Sequence, residues 1–356
     1  MKRRSLMTAA AAGPLLAAVP FAGAGAAPDS GTAGNWRTFE LTTAVNIPAD
    51  GRTRVWLPLP HDSAYQRVES VTWSGNAATL GIYTDVASGV RAFHAAWSDG
   101  EPRTVTLTTR VSTLDRRSDL RTTTAAGAIP EDVAKFLKPN AMITTDGIVK
   151  ETADKIVAGK RDPLQQAQAI YDWIVENTFR DPKVKGCGIG DIRAMLLSGN
   201  LGGKCADLNA LFVGLARAAG IPARGVYGVR VAPSAFYGAM GTRNADISKA
   251  QHCRAEFWVA GIGWIPADPA DIRKVVLDDK LALNDPKMPD LRRFLFGAWE
   301  GNWVAFNHTR DVRLAPGDTV VNYFMYPEGD TAKGQLDGMD PEAAGYKIVV
   351  RPVSAT

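Results

Sequence analysis

The chain of 356 residues holds only three cysteines and four histidines, and beyond its N-terminus it has no apolar run long enough to cross a bilayer. Once the first residues are set aside, a helical membrane protein is therefore excluded. The cysteines show no CxxC spacing and no Cys/His cluster, so a zinc site is not expected, and no metal is assigned. No acidic run resembles a calcium loop. Neither sign of charge dominates: 41 Lys and Arg stand against 37 Asp and Glu. Three of the basic residues, Lys2, Arg3 and Arg4, sit at the extreme N-terminus, and without them the chain is near neutral. That balance gives no reason to expect nucleic acid or an anionic membrane surface as a partner. The Gly-x-Gly pattern at Gly186, Gly188 and Gly190 has no preceding strand and no ribose-binding acid at the right distance, so a nucleotide cofactor is excluded. There is no internal repeat. No cofactor of any kind is implied.

What is present begins with an export signal over residues 1–27. The basic start leads into an alanine-rich, mildly apolar segment, and Ala24-Gly25-Ala26 offers a small-residue cleavage site. Arg3-Arg4 followed by Ser5-Leu6-Met7 resembles a twin-arginine signal, with the general secretory route as the alternative. The expected location is periplasmic or extracellular. A β domain is expected over 35–115, close to sandwich size, because Phe39, Leu41, Thr43, Val45 and Ile47 alternate with polar or small residues. Further strand patterns follow at 54–60, 68–73 and 104–111. His61 and His94 fall here and are read as surface or hydrogen-bonded histidines.

Residues 113–130 are polar and read as a linker. Helices are expected at 132–137, 146–157 and 162–179, the last with Asp162 as N-cap and Pro163 at N1. Leu208, Leu211, Phe212 and Leu215 then recur at helical spacing, and Gly220 with Pro222 supplies the stop. This helix begins close to Cys205. Unpaired N–H groups and the positive end of the helix dipole favour a thiolate there, which makes Cys205 a candidate nucleophile. A buried cysteine acting as a small hydrophobe is the alternative reading. Cys187 and Cys253 remain: they either pair as one disulfide or stay free.

A strand over 251–259 carries Cys253, Ala255, Phe257 and Val259 on one face and His252, Arg254, Glu256 and Trp258 on the other. Gly261-Ile262-Gly263 turns the chain, and 264–268 runs back beside it. A two-residue loop would put Asp268 on the face opposite His252. An odd loop or a bulge at Gly263 brings it to the same face, diagonal to His252, and that register is predicted. Strand patterns at 303–306, 319–325 and 346–350 are expected to complete or extend this sheet, with His308 among them.

Cys205, His252 and Asp268 have the parts of an activated-nucleophile triad, in which a thiolate attacks an acyl carbon, an imidazole moves the proton and a carboxylate orients the imidazole. An oxyanion donor is also needed, with the Cys205 N–H as one candidate and Asn200 as a second. The sequence resembles the transglutaminase-like superfamily, a papain-related group of cysteine enzymes. The matching pieces are Gly203-Lys204-Cys205-Ala206-Asp207, the run Arg217 to Arg224, His252 with Glu256, and Gly263-Trp264-Ile265-Pro266-Ala267-Asp268-Pro269. The segment 167–179 looks like the family's entry helix. Cys253 and Arg254 depart from the small residue and aromatic that often follow the family's histidine. The resemblance implies an α+β fold, with a papain-like core of helices on an antiparallel sheet over 130–356 behind the N-terminal β-sandwich-like domain. It implies the roles of nucleophile, base and orienting acid for Cys205, His252 and Asp268. The expected activity is a thiol amidase or peptidase acting on peptide or protein material through a thioester. A transglutaminase forming isopeptide bonds is the second reading, and an idle domain binding peptides or envelope partners the third.

Overall fold

The computed structural model describes residues 35–48, 51–98, 102–121 and 127–354, together with the backbone of Ala17–Ala18. The expected export signal otherwise lies outside the described residues. Among those described, no helix is long and apolar enough to cross a membrane.

The N-terminal strands follow from two-residue periodicity. Arg37–Ile47 buries Phe39, Leu41, Val45 and Ile47 while the residues between them face outward. It lies between Arg103–Thr113 and Tyr346–Val353, and Gln66–Gly75 pairs on the far side of Arg103–Thr113. A second antiparallel sheet runs Gly334–Gln335, Glu328–Thr331, Thr53–Pro58, Arg91–Trp97 and Thr79–Thr84. The two sheets share one core, bridged by the Trp73 and Phe93 rings at 5.4 Å, which is the sandwich arrangement. The C-terminal strands correct the sequence reading. Only Trp303–Asn307 joins the central sheet, whereas Tyr346–Val353 returns to the N-terminal sandwich. Alternation of Tyr346, Ile348 and Val350 fixes which face is buried but carries no information about which strand it pairs with.

The central sheet is fully antiparallel, in the order Gly263–Ala267, Gln251–Val259, Ala223–Arg230, Trp303–Asn307. Helices Cys205–Ala218 and Pro163–Asn177 pack on it, and Gly147–Val157 packs on those two helices. As expected, Asp162 caps Pro163–Asn177, accepting from the Gln165 N–H, with Pro163 at its start. Cys205–Ala218 ends where Gly220 takes φ +87°, so that Ile221 N donates to Ala216 O. The single apolar face read from its spacing is too narrow. Every residue of this helix but Arg217 is buried, because the sheet covers one side and the other helices the rest.

The His252 strand is likewise buried on both faces, including the polar side. Its charges are paired rather than hydrated. Glu256 accepts from Arg116 and, at 2.6 Å, from Arg224, whose guanidinium lies 4.0 Å over the Trp264 ring. Burial alone raises the Glu256 pKa, but the Arg224 and Arg116 charges outweigh it and hold the carboxyl down at about 2. Because the folded value is depressed, its contribution is present above the ordinary 4.5 and is lost as pH falls from there towards 2. Glu256→Gln leaves two cations facing a neutral group in the interior and is expected to cost about 3 kcal/mol. Urea unfolding at pH 7 and pH 3 checks this: the gap between wild type and variant narrows at the lower pH.

Candidate active site

Three elements meet at one cleft of about 440 Å³, lined by Cys187, Cys205, Gln251 and His252 among others. Cys205 is the first residue of its helix, following Lys204 in extended backbone. The helix start is tied down by Asp207. Its carboxylate accepts from the N–H groups of Lys204, Ile189 and Gly190, and so links the helix to the loop that carries Cys187. That loop needs its glycine: Gly188 has φ +88°, and a Cβ there would sit 1.9 Å from Asp207 Oδ2. The Ala206 N–H donates to Cys187 O at 2.9 Å, which fixes the Cys187 thiol beside that of Cys205.

The hairpin has the register predicted for it. Val259 pairs with Gly263 and Ala255 with Ala267, so the loop is three residues long, with Gly261 and Gly263 both at positive φ. Asp268 therefore follows on beside Arg254, diagonal to His252. Its Oδ2 lies 2.7 Å from His252 Nε2, and both residues are buried. Asp268 Oδ1 accepts from Asn209 Nδ2 at 3.1 Å and from the Asp271 N–H at 3.2 Å, where it caps the helix Pro269–Asp278. The sequence residues Cys205, His252 and Asp268 are thus brought together.

Asn200 is not. It is exposed in the loop before the helix, is absent from the cleft wall, and its side-chain oxygen accepts from the Gly202 N–H. His308 and His61 lie together against a separate cavity of about 260 Å³ lined by Trp264, Trp299 and Trp303. His94 is buried in the N-terminal sandwich, and neither of its ring nitrogens has a hydrogen-bond partner.

Two neighbours of the site escape the sequence reading. Gln251 lines the cleft with a buried Nε2 that has no hydrogen-bond partner. Asp271 lies with Oδ2 3.6 Å from His252 Nε2, while its Oδ1 accepts from Arg230 at 2.6 Å. Asp-Pro-Ala-Asp over 268–271, an N-cap followed by an acid at N3, was the available signal for Asp271. Nothing in the pattern marks Gln251.

Electrostatics separate the three thiols, all of which are free. Burial acts to raise the Cys205 pKa, but hydrogen bonds from Cys187, Cys253 and His252 outweigh it and hold the thiol well below its ordinary value. The same contact with Cys205 pushes Cys187 up, and burial pushes Cys253 up. Burial and Arg230 act to lower the His252 pKa, and the Asp271 and Asp268 carboxylates more than offset them. Arg230 and the other nearby cations keep Asp271 ionised, its pKa held at about 2 against burial. The arrangement suits a thiolate beside an imidazolium.

A thiol at a helix start beside an imidazole, in a core of helices on an antiparallel sheet, defines a cysteine-dependent enzyme fold. Known proteins agree. The transglutaminase-like superfamily core matches residues 150–269. An uncharacterized protein of Haemophilus influenzae is 37% identical over 342 residues, covering 90% of this chain and 93% of that one. The structure of a candidate cysteine protease from Cytophaga hutchinsonii aligns over 89% of this chain and 98% of its own, with 16% identity and a TM-score of 0.56. The chain belongs to the transglutaminase-like superfamily.

Proposed function

We propose that this protein is an exported amidase or peptidase that cleaves amide bonds through a thioester on Cys205. The observation that carries the reading is the buried 2.7 Å contact between His252 Nε2 and Asp268, beside the cleft that His252 and Cys205 both line. That contact commits Nε2 to the carboxylate and leaves Nδ1 as the ring nitrogen for the thiol.

In the proposed sequence the Cys205 thiolate attacks the carbonyl carbon, forming the C–S bond as the carbonyl electrons move to oxygen. The Cys205 N–H at the helix start receives that oxygen, and Gln251 Nε2 takes the place first given to Asn200 as the second donor. Collapse breaks the C–N bond, and His252 gives its proton to the departing amine. Water then attacks the thioester, losing a proton to His252, and the acid leaves as the thiolate returns. Asp268 orients the ring throughout, and Asp271 adds negative charge on the same side.

Gln251→Ala is expected to lower kcat by about 10²-fold with little change in KM, because its donor acts on charge that develops only in the transition state. Steady-state kinetics check this, and a matching rise in KM would reassign Gln251 to substrate binding. Arg180, Lys204 and Lys249 also line the cleft, and neither Arg180 nor Lys204 has an ion-pair partner among the described residues. An acidic peptide is therefore the substrate class to try first.

Transglutamination uses the same thioester and differs only in whether an amine resolves it. Incubation with a peptide glutamine donor and a tagged primary amine separates the two. Ammonia or a cut peptide without tag incorporation supports hydrolysis; incorporation supports cross-linking. The loop over 233–248 supplies Gly241, Thr242, Asn244, Asp246 and Ser248 to the cleft wall, and we assign it the control of which acceptor enters.

A further inference from the structure

All three cysteines of the chain converge on one point, although they come from a loop, a helix start and a strand far apart in sequence. Their Sγ atoms lie within 4.8 Å of one another. A fourth sulfur adjoins them: Met325 Sδ is 3.8 Å from Cys253 Sγ. The proposed acyl transfer forms a bond to one of these sulfurs only, and the other two take no covalent part in it. The arrangement is also held in place. Asp207 and the Ala206 N–H fix the Cys187 loop, and the Tyr323 hydroxyl donates to Gly188 O in the same loop.

We propose that Cys187, Cys205 and Cys253 form a three-sulfur site for a single copper(I) ion. Soft thiolate and thioether donors favour copper(I), and no carboxylate stands in the sulfur set to suit a hard cation. Metal–sulfur bonds of about 2.3 Å in a trigonal plane place sulfurs about 4.0 Å apart, so the thiols need to close by less than about an ångström. Zinc would require a fourth donor: the nearest additional sulfur is a thioether, outside its usual set, and His252, although it hydrogen-bonds Cys205, groups with Asp268 and Asp271 and not with the three sulfurs. Cys187 and Cys205 both open onto the cleft, which gives the ion a path in. Binding forms three Cu–S bonds, one to the Cys205 thiolate and two to Cys187 and Cys253 as their thiol protons leave to solvent, with no change in oxidation state. Occupancy of Cys205 would then block the acyl transfer. That consequence rests on the proposed function; the binding does not.

The test is an anaerobic titration of the purified chain against copper(I) held by bicinchoninate, whose colour reports the metal it retains. The wild type is expected to withdraw one equivalent, and X-ray absorption on that complex should count three sulfur neighbours. Cys187→Ser and Cys253→Ser should each weaken binding at least about 100-fold. Failure of the wild type to withdraw copper overturns the site, as do one or two sulfur neighbours, or variants that bind as tightly as wild type. Displacement of the copper by an equal concentration of zinc(II) also overturns it. Should a serine variant fail to fold, the sulfur count on the wild type decides alone. The hydrolysis assay run beside the titration keeps the two readings apart: one copper bound to three sulfurs in a chain without amidase activity retains the site and removes only the inhibition.

Discussion

Cys205→Ala is expected to reduce amide hydrolysis by at least about 10⁴-fold while leaving the cooperative unfolding transition in place. The size follows from the loss of the covalent route: without the Cys205 thiolate no thioester forms. The fold should tolerate the change. Cys205 is the first residue of its helix, alanine is a good helix former, and the Asp207 contacts that hold the helix start do not involve the sulfur. Cys187 and Cys253 serve as controls. The contact with Cys205 that chiefly raises Cys187 goes with the substitution, but burial still raises both thiols, so neither should take over the attack. Kinetics on purified variants, with thermal unfolding alongside, check this. Activity retained by Cys205→Ala and lost by Cys187→Ala would move the nucleophile to the loop.

Asp268→Ala is expected to lower kcat/KM by about 10³-fold, because His252 loses the group that fixes its ring and favours its charged form. The carboxylate has two structural duties as well, capping the helix that follows and satisfying Asn209. Asp268→Asn separates these from the catalytic effect. Its single amide oxygen keeps the bonds that Oδ1 accepts from Asn209 and the Asp271 N–H, so the cap survives, while its NH2 faces His252 Nε2 and both the orienting acceptor and the negative charge are lost. The asparagine variant should therefore stay within about 1 kcal/mol of wild-type stability and yet lose about as much activity as alanine. Near wild-type activity in the asparagine variant would mean that the bond to His252 is not what Asp268 supplies to the reaction.

Much of this site is legible in the sequence because local rules govern it. The Cys205 helix announces itself by spacing and by its glycine stop. The relation of His252 to Asp268 follows from the parity of one hairpin loop. Glu256, Arg224 and Trp264 belong to the motifs that carry the family resemblance, and the structure gives them a physical role in a buried charge cluster on the sheet. What is not legible depends on long-range packing. No periodicity places Cys187 and Cys253 against Cys205, since a glycine-rich loop and a strand residue carry no mark of their partner. The return of Tyr346–Val353 to the first strand of the sandwich is hidden for the same reason. Asn200 is close to Cys205 along the chain, yet its side chain turns to the local backbone, while Gln251 reaches the cleft from a different element.

The measurement closest to the central claim is stoichiometric alkylation of the native protein by an electrophilic peptide probe, with the modified residue identified by peptide mass mapping. The account predicts one adduct per chain, on Cys205, formed far more slowly in His252→Ala. An adduct on Cys187 or Cys253, or a Cys205 rate that does not depend on His252, would contradict it.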